Sequence, residues 1–438
     1  MCTPGCVMIN YLLPLTITCL FLPFRDQFGP VQVRPFDGMV VLLLLASLPQ
    51  AAAMLRSKLS LGLILIVPFL VIHVLSAFTH SGTNGIRELL QASLLFTLAF
   101  LINFHADKLD YRKAGAVLLV GMFAVMAYNI GWHISQGFWS GWKRLLDPKA
   151  VFSFLPMLLG LHLLLTPRHQ RTIYWILWWL AGAAILLSGE RKALLVFALL
   201  SVALVGRGRL RLAAPIAAVG FAGLVIFAGF IGNRYLANQV DSILEPSPTQ
   251  LSLGAMASGA MPRSLSNASR EFQMARSAEL ISSHPVFGVG TNAYIELITQ
   301  RFGSLPRYLQ MGVHNEFLRV FVENGVVGFA AYVTIWLVAT IRLWTLATRL
   351  HQTGYFDAMR ARLLTATLLV PPFFYVALEA SGTRVIMAGI VVSLSPDVLR
   401  LATYRSIRTA RQESRYGLEP PETNGTLAGH RQSSSAGK

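Results

Sequence analysis

The chain is short of charge. Asp, Glu, Lys and Arg make up only 13% of its 438 residues, while 54% are hydrophobic. Soluble domains carry about 25% charged residues, so there is too little charge here to cover a water-facing surface. Cysteine is also scarce: Cys2, Cys6 and Cys19 are the whole set, all near the N-terminus. Their spacing matches no zinc site, and nothing later in the chain completes one. No Walker lysine motif occurs, which removes the usual sign of ATP hydrolysis, and no HExxH is present. Acidic pairs are lacking too. Asp26 and Asp37 are eleven positions apart with no further ligand beside them, so neither a metal nor a cofactor is expected.

What the chain has instead is long apolar runs, with a mean hydropathy of +0.56. They fall near 7–23, 38–55, 59–79, 87–104, 114–134, 150–166, 173–188, 192–206, 212–231, 315–347, 361–380 and 384–400. A helix needs about 20 such residues to cross a bilayer. The expected fold class is an all-α polytopic membrane protein with about 12 transmembrane helices. The N-terminal run lacks a basic flank and a cleavage site, and reads as a retained first helix.

The net charge of +17 would point to nucleic acid in a soluble protein. Here its distribution has a plainer cause. Alternate loops are basic, from Arg56 and Lys58 through Lys108, Arg112 and Lys113 to Arg342 and Arg349, and the tail adds Arg400 to Arg415. Lys and Arg collect on the cytoplasmic side, so these loops and both termini are expected there. No nucleic-acid partner is expected; membrane lipids are.

The other loops are then external, and one is large. The chain divides into an N-terminal bundle of about nine spans (1–231), an external loop (232–313), a C-terminal bundle of about three spans (314–400) and a disordered cytoplasmic tail (401–438). Glu245 to Pro262 is rich in Pro, Ser and Gly and reads as flexible. Ser266 or Asn267 can cap a loop helix that ends near Ser283, before Pro285. A glycine turn and a second short helix follow.

The external face is marked by cations. SGERKALL (Ser188 to Leu195) puts Arg191 and Lys192 at the outer start of the eighth span. They read either as snorkelling anchors or as anion ligands. Arg270 opens the loop helix, where a cation opposes the helix dipole, so anion binding is the more natural role. Arg276 faces elsewhere on that helix. Arg384 opens span twelve and suits either an anion or an ion pair with Glu379. Arginine's planar fork fits a diphosphate, which points to an anionic lipid headgroup or a phosphorylated lipid carrier.

His314 stands where the chain re-enters the membrane, in GVHNEFLRVFVENGVVGF (Gly312 to Phe329). A helix N-terminus disfavours imidazolium, and a neutral ring can act as a general base. A capping or interfacial histidine is the alternative. Arg319 and Glu323, four apart, are expected to pair on one helix face. Gly325 and Gly328 permit close helix contact. Gly288 and Gly290 either bring N–H groups towards phosphate or make a tight turn. The intramembrane His73 and His162 are expected to find partners inside the bundle.

HPVFGVGTNAY (His284 to Tyr294) and VHNEFLRVFVENGVVG (Val313 to Gly328) resemble the signature of the O-antigen ligase and polymerase superfamily. There, His-Asn is followed by nine residues and Gly-x-x-Gly. Here His314-Asn315 is followed, at that spacing, by Gly325 to Gly328. The resemblance implies a GT-C-like membrane glycosyltransferase of the bacterial inner membrane, working without a metal on the periplasmic face. The implied donor is an undecaprenyl diphosphate-linked glycan, and the implied acceptor is lipid A-core or another glycan. His314 matches the family's general base, and Arg191 and Arg270 match its donor diphosphate ligands. Asn315, Lys192, Arg319, Glu323 and Arg384 are supporting candidates. A ligase and a repeat-unit polymerase share this donor chemistry. Arg301 and Gly312 fit an Arg-x10-Gly pattern of some polymerases, a fit expected by chance among 35 glycines. A lipid-linked glycan transporter is the third reading; the chain shows none of the paired, broken repeats of transporters.

Overall fold

The structure is a computed structural model. It describes residues 4–19, 21–22, 26–28, 31–57, 59, 61–105, 109–135, 150–166, 171–188, 191–205, 265–303, 309–310, 312–352 and 362–369. Helices α1 (Pro4–Cys19), α2 (Pro35–Ser47), α3 (Ala51–Leu55), α4 (Leu61–His80), α5 (Gly82–His105) and α6 (Tyr111–Ser135) come first. Then follow α7 (Ala150–Leu165), α8 (Arg171–Ser188), α9 (Arg191–Val205), α10 (Leu265–Ser283), α11 (Ala293–Phe302) and α12 (Glu316–Gln352). Residues 362–369 are helical as well. One feature departs from an all-helical chain. Strands β1 (Asp26–Phe28) and β2 (Val31–Val33) form an antiparallel hairpin with Gln27 opposite Gln32. Asp37, weighed as a metal ligand, instead closes the start of α2, accepting the Arg34 N–H at 2.8 Å.

Ten of the twelve apolar segments fall on described helix. The segments 212–231 and 384–400, the Pro/Ser/Gly-rich stretch 245–262 and the tail 401–438 lie outside the described residues. By length and composition, five described helices can cross a bilayer: Pro35–Met54, Leu61–His80, Gly85–His105, Lys113–Trp132 and Glu316–Gln352. Their outer faces are apolar. Val120 is 69% exposed and Ile341 62%, as suits a lipid-facing surface and not a water-facing one. The chain is a multi-pass membrane protein on these grounds.

Inside such a bundle every polar group needs a partner. Thr16, Thr18, Ser47 and Thr340 bond the carbonyl four residues back in their own helices. Ser47 also meets His105 at 2.9 Å, tying α2 to α5. The Trp178 indole donates to Ser201 at 3.0 Å, tying α8 to α9. His162 stacks on Tyr174 and His73 is bonded within the bundle, as expected of both.

Three apolar cores set the site. One, around Trp178 and Phe197, joins α1 with α6 to α9. A second packs α4 and α5 on α12 through Leu63, Phe69, Leu95, Tyr332 and Trp336. The third fixes α10 and α11 to the start of α12: Phe272 of α10, Tyr294 and Ile298 of α11, then Leu309, Val313 and Val322. The expected loop helices are both present. The first begins at Leu265, so Ser266 and Asn267 lie inside it and do not cap it.

Candidate active site

Span ten was expected to be one long helix. It is two, broken at Gly325, whose φ of 63° and ψ of −168° are open only to glycine. The expectation that this residue merely eases packing is thereby corrected. An unbroken helix would bond Val326 and Val327 back to the carbonyls of Val322 and Glu323. Here those four groups turn to the segment between α10 and α11. Val326 and Val327 donate to the carbonyls of Pro285 and Val286, at 2.9 and 3.4 Å. Val289 and Gly290 donate to the carbonyls of Val322 and Glu323, at 2.9 and 3.0 Å. Two helical bonds are exchanged for four that stitch Pro285 to Gly290 into the break.

The two glycine motifs are therefore the two sides of one joint. Gly288 and Gly290 have φ of 72° and 107°. A Cβ on Gly325 would collide with the Val286 carbonyl, and one on Gly288 with Glu323 main chain. The tight-turn reading holds for Gly288 and Gly290. Their N–H groups go to His284 and Glu323 carbonyls, which leaves neither for phosphate.

Beneath the joint lies a buried polar network. His73 Nε2 is 3.2 Å from Glu88 Oε2, and its Nδ1 is 3.3 Å from Asn324 Oδ1. The Thr291 hydroxyl donates to the His73 carbonyl at 2.7 Å and accepts from the Asn324 amide at 2.8 Å. Asn292 donates to Glu88 at 2.6 Å, and Ser76 to the Glu323 carbonyl at 2.7 Å. The network closes α4, α5, the loop and α12 around the break. Irregular backbone at membrane depth survives only where protein satisfies it like this.

His314 lies just ahead of α12, half-buried, and Asn315 is the helix cap: its Oδ1 accepts the Leu318 N–H at 3.1 Å. The capping role open to His314 thus falls to its neighbour. The His314 N–H donates to Gln273 Oε1 of α10 at 3.1 Å. Glu316, 2% exposed, opens α12. Its Oε1 accepts from Arg319 at 2.6 Å. The expected pairing of Arg319 with Glu323 is corrected by this contact. Glu316 at i−3 takes the guanidinium, while Glu323, on the last turn before the break, acts on it as a nearby charge together with Glu88.

The remaining cations separate by role. Arg270 is exposed on α10, three residues ahead of Gln273. Arg276 and Arg301 both pair with Glu279, and both lie over the Phe302 ring. They line a groove of about 310 Å³ between α10 and α11, and act there as braces between the two helices. Arg191 and Lys192 open α9 as expected, with side chains outside the described residues. Arg384 lies wholly outside them. Burial pushes the Tyr294 phenol up to about 12.

Sequence reasoning missed Gln273, Glu316 and the His73–Glu88–Asn324–Thr291 network. A signal was visible for Glu88, a carboxylate within an apolar span. Gln273 carried none, being one polar residue on a polar loop helix.

The sequence model of a family described as O-antigen ligase matches residues 176–333. The match runs from within α8 to beyond the break in α12 and takes in Arg191, Arg270, Gln273 and His314. No curated protein matches the chain. The stitched glycine motifs and the capped entry of His314 thus lie inside one segment that is similar to the O-antigen ligase family, in agreement with the superfamily resemblance carried by the His-Asn motif.

Proposed function

We propose that the chain is a periplasmic-face glycosyltransferase that moves a glycan from undecaprenyl diphosphate to an acceptor hydroxyl, with ligation of O-antigen to lipid A-core as the first reading. One observation carries it. His314 stands at the entrance of α12 with its main chain bonded to α10, the helix that bears Arg270. Both residues, with Arg191, fall in the O-antigen ligase match.

In this mechanism His314 takes the proton of an acceptor hydroxyl, and the freed oxygen attacks the anomeric carbon. The bond from that carbon to the diphosphate oxygen breaks, and undecaprenyl diphosphate leaves with the electron pair. Arg191 and Arg270 meet the charge that develops on it. His314 then passes its proton to water. One displacement inverts the anomeric carbon. Asn315 fixes the helix end, and the Glu316–Arg319 pair holds the first turn of α12. Lys192 and Arg384 would add positive potential on the same side. Twelve spans, cytoplasmic termini, an inner-membrane location and the boundaries at 231, 313 and 400 complete the proposal.

The test is a reconstituted assay with carrier-linked glycan, offering either lipid A-core or a second carrier-linked unit. His314→Ala and Arg191→Ala are expected to insert normally and to lose at least about a hundredfold in rate. Full activity in the His314→Ala protein overturns the mechanism. Product with the second carrier-linked unit alone makes the enzyme a polymerase. The Arg301–Gly312 pattern does not favour that outcome, because Arg301 is engaged by Glu279 and Phe302.

A further inference from the structure

We propose that Gln273 is a positioning residue for glycan transfer: one buried side-chain amide fixes the main chain of His314 to the helix that carries Arg270, so base and donor cation are set as a unit. This rests on the reading of His314 as the base.

Gln273 is 2% exposed, in a helix whose outer face is open to water. Its two polar atoms are both engaged. Oε1 accepts the His314 N–H at 3.1 Å, and Nε2 donates to Ser269 Oγ at 2.9 Å. The orientation of the amide follows from chemistry. A main-chain N–H only donates, so the oxygen must face His314. Ser269, itself 4% exposed, then holds the amide from behind. The Tyr294 hydroxyl reaches towards the Gln273 carbonyl at 3.5 Å, so α11 braces the same point.

The geometry makes this bond a short lever. Arg270 precedes Gln273 by three positions, which places it about 60° around the helix and about 4.5 Å along it. The chain path from Gln273 to His314 is forty-one residues long. Along that path the apolar core of Phe272 and Val313 holds α10 near the start of α12, and the amide adds the directional bond that sets the His314 main chain against α10. A misplacement of about 1 Å at a reacting group costs up to about a hundredfold in rate.

A merely structural role is separable from a positioning one, because two substitutions rank oppositely. Gln273→Met fills the volume and removes the acceptor. Gln273→Glu keeps an acceptor oxygen for the His314 N–H, charged or protonated, but buries an acidic group. For packing alone, Met is the better replacement. For positioning, Glu is.

The experiment measures kcat, donor KM and the thermal midpoint of the full-length protein in detergent, for wild type, both variants and His314→Ala. The expected result is a crossover. Thermal midpoints rank wild type, Met, Glu. Turnover ranks wild type, Glu, Met, with Gln273→Met down about tenfold to a hundredfold in kcat and within about twofold in donor KM. Turnover that follows the stability ranking overturns the proposal. So does a loss confined to KM. An active His314→Ala protein overturns the base reading instead, and the two failures are told apart in one data set.

Discussion

Glu316 has one carboxylate oxygen bonded to Arg319 and the other bonded to nothing among the described residues. Arg319 is the cation that Glu316, Glu323 and Glu88 share. Removing one partner of a buried pair is worse than never having built it, because the other charge stays buried alone. Arg319→Leu is therefore expected to cost about 3–5 kcal/mol. A thermal-unfolding scan in detergent checks it, and the double variant Arg319→Leu, Glu316→Leu should recover part of the loss. Tyr294 gives a pH dependence. Burial moves its phenol from about 10 in the unfolded chain to about 12 in the fold. The unfolded form releases its proton first. The contribution is fully present below pH 10 and is lost as pH rises towards 12, by roughly 2–3 kcal/mol. Tyr294→Phe should show a smaller drop in thermal midpoint over that window than wild type. If the arginines alone meet the leaving diphosphate, turnover should persist in excess EDTA; abolition by chelator would place a metal in the step.

At the scale of the element, α12 is decided by its break. Valines flank Asn324 and Gly325, all of them weak helix formers, so local propensity does little to resist the break, and the helix gives up two of its own bonds there. It does so because the loop offers four in return, and because only glycine reaches the required φ and ψ. Gly325→Ala combines a strained backbone with a collision at the Val286 carbonyl. A cost of at least about 3 kcal/mol and loss of the folded protein in size-exclusion profiles are expected. Gly38, with open space around it, is the control: alanine there should be neutral or slightly stabilising. At the helix entrance, Asn315→Ala removes the cap and should cost about 1 kcal/mol. Its effect on turnover should exceed its effect on stability, because the frayed turn adjoins His314.

At the scale of the molecule, the polar network and the stitched joint sit at one end of the bundle, next to α10 and α11. The opposite end of α12 carries Arg349, and Arg56 caps α3 just ahead of the start of α4. That asymmetry supports the proposed orientation, with α10 and α11 outside the cell membrane. With the native cysteines replaced, Gln300→Cys on exposed α11 should react with a membrane-impermeant maleimide in cells with a permeabilised outer membrane. A cysteine at Arg349 should react only after the inner membrane is opened. The reverse pattern would invert the topology.

Composition and periodicity were enough for the class of protein and for most of its helices, because a bilayer leaves a chain few ways to satisfy its backbone and each requires a long apolar run. The His-Asn spacing pointed to the site for a local reason: nine residues from cap to glycine measure the short helix between His314 and the break. Pairing was a different matter. Arg319 chose Glu316 over Glu323, Gly290 gave its N–H group to α12 and Gly288 gave its own to His284, neither to a ligand, and Gln273 met His314 across forty-one positions. Partners that distant in sequence are selected by packing, which brings α4, α5, α10 and α11 against one broken helix, and no periodicity along the chain encodes it.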